Sequence, residues 1–129
     1  MQYLRDLRYI FLLLLFLPIS GCGEQASAGK AGLFVDESTQ TYLKAEFEET
    51  KRCGDFDEGA FEEVSVVIMP PTFPCKHYAS GCSGEYVNPN HLKLGSLYVW
   101  RHEVIHYLLD LNYGDPDAAH KSALFKTCI

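Results

Sequence analysis

Two histidines and a glutamate stand in the order His102-Glu103-Val104-Ile105-His106. On an α-helix, residues four apart project from one face, so both imidazoles can reach one metal ion, zinc above all. Glu103 then sits one step round, placed to act as a general base on water. With five His and ten Glu in 129 residues, chance produces this pattern in about 1 to 2% of such chains. A catalytic zinc takes three protein ligands and keeps a position for water, so a third ligand must come from elsewhere. No Glu follows Glu103, which excludes a downstream glutamate. His120 follows the turn Gly114-Asp115-Pro116-Asp117 and is the only histidine after the motif, which makes it the expected third ligand. Asp117 is the alternative, because an oxygen ligand also suits zinc. Asp110, four residues beyond His106, either orients a ligand from behind or is a solvated helix-end carboxylate.

These side chains need a helix, and the segment from Leu97 to Asn112 has helical periodicity, opened by Gly95-Ser96 and ended by Gly114. Leu97, Val104, Leu108 and Leu111 fall on one face, which predicts burial on one side and a ligand face on the other. Trp100 and Tyr98 are expected in the core. A second helix is expected from Asp36 to Cys53, with Asp36 or Ser38 as its N-cap and a stripe of Tyr42, Leu43, Ala45 and Phe47. Val64 to Met69 is β-branched and apolar and is stopped by Pro70-Pro71, as in a buried strand. Thr72 to Gly84 carries two cysteines, Pro74 and two glycines and predicts an irregular stapled loop. Glu85 to Val87 and His91 to Leu94 read as short strands around Asn88-Pro89-Asn90. The order predicts a small α+β domain: a small sheet, an N-terminal helix and the motif helix.

Ahead of this domain, Arg5 and Arg8 precede the apolar run Ile10 to Leu17, and Pro18-Ile19-Ser20-Gly21-Cys22 follows, the order of a secretory signal over residues 1–21. Eight apolar residues fall far short of the ~20 of a spanning helix. Ile19-Ser20-Gly21-Cys22 resembles the lipobox of bacterial lipoproteins. That resemblance implies a lipidated (diacyl and palmitoyl-type) Cys22, a cell-envelope anchor and, with Gly23 next, the outer membrane. Residues 22–32 are small, polar and Gly-rich, a flexible tether to a domain over 33–129. Removing residues 1–21 leaves nine basic against 16 acidic side chains, which argues against nucleic acid as a partner. Eight acidic residues lie between 46 and 63, either a solvated face or a surface for a basic partner. Cys53, Cys75, Cys82 and Cys128 form an even set in an exported domain. Of their three pairings, Cys75–Cys82 with Cys53–Cys128 is favoured. The rival, Cys75, His77 and Cys82 as metal ligands, lacks the close cysteine pairs of structural zinc sites.

Residues 96–125, with the motif, a later His120 and Phe125 in His120-Lys-Ser-Ala-Leu-Phe125, resemble the active-site portion of zincin metallopeptidases. The third-ligand pattern is similar to that of SprT-like proteins, and the whole looks like small bacterial zincin-like lipoproteins. Metzincin spacing fails, since Leu109 and Asn112 stand where that pattern wants Gly and His. An aspzincin arrangement would place the ligand at Asp117. The resemblance implies a minimal zincin-like fold with zinc on His102, His106 and His120, Glu103 as general base, and a peptide or protein substrate. An edge strand, Glu85 to Val87 or His91 to Leu94, would pair with that substrate, and Tyr86, His91, Tyr107 or Tyr113 would donate to the oxyanion. A monomer is expected. The alternatives are a noncatalytic zinc-binding envelope module and a metal-free, disulfide-stapled interaction module.

Overall fold

A computed structural model describes residues 35–129. The expected signal segment, the tether and Cys22 lie outside the described residues. Helix α1 (Glu37–Cys53) starts where the Asp36 carboxylate accepts from the Thr39 N–H at 3.0 Å, so Asp36 rather than Ser38 is the cap. It buries Leu43, Phe47 and Thr50. Tyr42 and Ala45, expected on that stripe, are exposed, because Leu43, Phe47 and Thr50 already make up the narrow buried face.

Strands β1 (Ser65–Ile68), β2 (Gly84–Val87) and β3 (His91–Leu94) form one sheet in the order β1-β3-β2. β1 runs parallel to β3, with Ser65 opposite His91 and Ile68 opposite Leu94, and β2 is antiparallel to β3, with Gly84 opposite Leu94. β1 is therefore an edge strand and only half-buried along its length, where full burial was expected. β3 is central, which leaves β2 as the edge strand of the two candidates.

A 3-10 turn, Leu97–Val99, precedes helix α2 (Trp100–Tyr113), and Gly114 ends it in a left-handed conformation, φ 72°. α2 packs against α1, β2, β3 and the short helix α3 (Leu124–Thr127). With neighbours on several sides it is buried without a break from Glu103 to Leu109, not along one stripe. Leu97, in the 3-10 turn ahead of α2, and Leu111, in its last turn, are exposed, against expectation. Trp100 is in the core, and its indole N–H donates to the Leu43 carbonyl at 2.9 Å. Tyr98, also expected there, lies in the 3-10 turn and is fully exposed.

Both favoured disulfides are present. Cys53–Cys128 joins the end of α1 to the end of the chain across 75 residues, a closure that contributes about 4 kcal/mol by chain entropy. Of the acidic run, Glu46 pairs with Arg101 at 2.6 Å, Glu49 with Arg52 and Glu62 with Lys44. Three of its eight carboxylates are therefore paired within the fold. Among the described residues, no helix is long and apolar enough to cross a membrane.

Candidate metal centre

The helical spacing of His102 and His106 does what periodicity requires, and their Nε2 atoms lie 3.2 Å apart. The loop after Gly114 returns His120 to them, with its Nε2 3.0 Å from each. These three form the one cluster of metal-ligating side chains among the described residues. His106 Nδ1 donates to the Pro116 carbonyl, which fixes its tautomer and leaves Nε2 as a bare acceptor. Three ring nitrogens this close repel one another unless a proton or cation lies among them. Tetrahedral ligands at about 2.0–2.1 Å from a zinc ion are about 3.3 Å apart, close to the spacing found here, so the donor set fits a metal ion.

Desolvation, followed by the neighbouring imidazoles, pushes the His102 pKa down to about 4, and desolvation also lowers that of His106. Both are then neutral at pH 7, the form that binds metal. Glu103 is 5% exposed. Burial raises its carboxyl to about 7, partly offset by the hydrogen bond it accepts from the Tyr86 backbone N–H. A Cβ at Gly84 would overlap this carboxylate and meet the Val99 side chain at 2.7 Å, so glycine is what lets β2 approach the motif helix.

A cleft of about 360 Å³ holds His102, Glu103, His106 and His120 on one side. His77, Tyr78 and Cys82 of the disulfide-closed loop line it as well, with Gly84 to Tyr86 of β2. His77 and Tyr78 were not among the expected oxyanion donors. Their one sequence signal is their position between two bonded cysteines, which places them on a stapled loop without showing what that loop faces. Cys75 and Cys82 are bonded to each other, so the rival metal site on them and His77 is not formed.

Of the expected donors, only Tyr86 lines the cleft, and its hydroxyl is engaged elsewhere. The Tyr86 hydroxyl donates to Asp110 at 2.7 Å and lies 3.0 Å from the Pro89 carbonyl; burial and Asp110 hold its pKa well above the usual tyrosine range. Tyr107 is buried against Glu63, Tyr113 leans on Phe56, and His91 is exposed on β3. Asp110 reaches neither histidine. It accepts from Tyr86 and Asn88 and so ties the β2–β3 turn to α2. Asp117, the alternative ligand, turns its carboxylate to the backbone N–H groups of Lys121 and Ser122 at 3.0 and 2.6 Å. It shapes the loop that delivers His120.

Comparison with protein-family models, curated proteins and solved structures finds no match for this chain. The reading of the site therefore rests on its own geometry.

Proposed function

We propose that this chain is a zinc-dependent metallopeptidase of the zincin type, with His102, His106 and His120 as ligands and Glu103 as general base. What carries the reading is the convergence of three imidazole Nε2 atoms beside a buried carboxylate, in a cleft bordered by an edge strand. A zinc ion on those nitrogens would supply Lewis acidity, making water acidic and polarising a scissile carbonyl. Glu103 takes the proton from the attacking water and hands it to the leaving amine. Its pKa, raised by burial, suits a group that must both accept and return a proton near neutrality. The Tyr86 N–H points to Glu103 and away from β3, and Gly84, two residues back, presents its backbone to the same side. An extended peptide pairing with the rest of the β2 edge would run beside the ligand cluster, because Gly84 to Tyr86 line the same cleft as the three histidines. His77 and Tyr78, which line the same cleft, are the candidate donors to a developing oxyanion.

The proposal includes export as a lipoprotein, with residues 1–21 as signal, Cys22 as lipid anchor in the outer membrane and residues 22–32 as tether, and a monomeric domain acting on peptide or protein. It is supported by the order of basic, apolar and small residues before Cys22 and by two formed disulfides.

Metal content by plasma mass spectrometry tests the ligand set. One zinc per chain is expected in the wild type and in Asp117→Asn, and none in His102→Ala or His120→Ala. Zinc kept by His120→Ala but lost by Asp117→Asn would transfer the third position to the aspartate. A metal-free wild type would leave a disulfide-stapled interaction module.

A further inference from the structure

His120 has the least local reason to be where it is. It is exposed, it sits on a loop with left-handed backbone, φ 53°, and no helix sets the direction of its side chain. Yet its Nε2 meets both helical histidines. The group that closes the cluster is Phe125, 7% exposed, whose ring centroid lies 5.0 Å from that of His102, 4.6 Å from His106 and 4.7 Å from His120. Phe125 belongs to α3, a single turn of helix that cannot hold itself. Its position is fixed from both ends. Upstream, Asp117 accepts from Lys121 and Ser122, and the Ser122 hydroxyl accepts from the Leu124 N–H at 3.2 Å. Downstream, Cys128 is 3% exposed and bonded to Cys53 on α1.

We propose that Phe125 is the positioning residue of the metal centre and that the Cys53–Cys128 bridge is the clamp that holds it there, so that tight metal binding requires this bridge. The inference rests on the reading of His102, His106 and His120 as metal ligands. A flat ring packed on three imidazoles restricts their rotation before the ion arrives. The cost of ordering the ligands is then met on folding instead of on binding, which raises affinity. With the bridge absent, the last turn frays from α1, Phe125 withdraws, and the exposed His120 is the ligand that loses its support. The other bridge, Cys75–Cys82, closes a short loop that lines the cleft and does not join the last turn to α1.

The test is Zn²⁺ affinity by competition with a chromophoric chelator, on the full chain in detergent, beside the visible spectrum of the Co²⁺-loaded protein. Phe125→Leu, which keeps an apolar filler but no flat ring, and the double variant Cys53→Ala/Cys128→Ala are each expected to weaken binding by roughly 10- to 100-fold. Each should also reduce the intensity of the tetrahedral Co²⁺ bands. Cys75→Ala/Cys82→Ala is expected to stay within about threefold of wild type. Circular dichroism of the metal-free proteins establishes which variants are folded, and Phe125→Leu reports even where a cysteine pair is needed for folding. Wild-type affinity in Phe125→Leu and in the Cys53/Cys128 variant overturns the inference alone. An equal loss in the Cys75/Cys82 variant overturns the clamp in favour of a general stability effect. A wild type that binds no metal overturns the metal centre itself and the inference with it.

Discussion

Glu103→Gln is expected to lower kcat/KM on fluorescein-labelled casein by roughly 10²- to 10⁴-fold, the usual contribution of a general base, while zinc stays at one per chain. That loss corresponds to about 3 to 5 kcal/mol of transition-state stabilisation. The substitution is close to isosteric, and the Gln carbonyl still accepts from the Tyr86 N–H, so the fold has no reason to change. What disappears is the group that takes and returns the proton. Gly84→Ala strikes the same carboxylate from the other side, since its Cβ would overlap the Glu103 oxygen. A displacement of this kind lowers turnover by roughly 10²-fold with metal retained. A Glu103→Gln enzyme that cleaves at the wild-type rate would sink the mechanism. A zinc-loaded wild type that does not cleave would identify a noncatalytic metal module.

Trp100→Ala should cost roughly 3 to 5 kcal/mol, the range for removing a buried aromatic, and lower the Tm of the metal-free chain by more than about 10 °C. Trp100 is 1% exposed, its ring stands edge-on to Phe61 at 6.2 Å, and its N–H reaches across to α1. It stands one turn ahead of Glu103 and Val104 on α2, so its loss also loosens the start of the helix that presents the ligands. Tyr98→Ala, two residues away and 100% exposed, should stay within about 0.5 kcal/mol of wild type. Thermal melts followed at 222 nm compare the two. Equal losses would mean that the 3-10 turn packs otherwise than described.

That pair of aromatics marks the boundary between what was legible along the chain and what was not. Both were expected in the core as aromatics beside the motif, although residues two apart point to nearly opposite sides of a helix. Trp100, the first residue of α2, is turned to α1, and Tyr98, in the preceding 3-10 turn, is left to solvent. Leu97 and Leu111 were misread for a related reason. Periodicity assigns a face to a residue, but burial of that face requires a neighbour, and at Leu97 and Leu111 that cover is incomplete.

The carboxylates teach the same lesson. Asp110 and Asp117 stood at spacings that suited a supporting carboxylate and a ligand, and both turned to backbone or turn-region partners instead. Asp117 satisfies nearby backbone N–H groups and Asp110 the side-chain donors of Tyr86 and Asn88, and spacing along the chain does not record which donors come near.

The sequence alone determined the relations inside single elements and the covalent options: the i, i+4 placement of His102 and His106, the choice of Asp36 or Ser38 as cap, the Gly114 terminator and an even cysteine set with few pairings. These follow from the helical repeat, from local hydrogen bonding and from the chemistry of thiols, none of which needs distant residues. Only the tertiary structure decided the convergence of His120 with the helical pair, the placement of β2 at the sheet edge, the approach of Gly84 to Glu103, and the packing of Phe125 behind all three imidazoles. Each of these joins elements far apart in the chain, and such contacts are set by sheet register, loop closure and packing, which a local pattern does not encode.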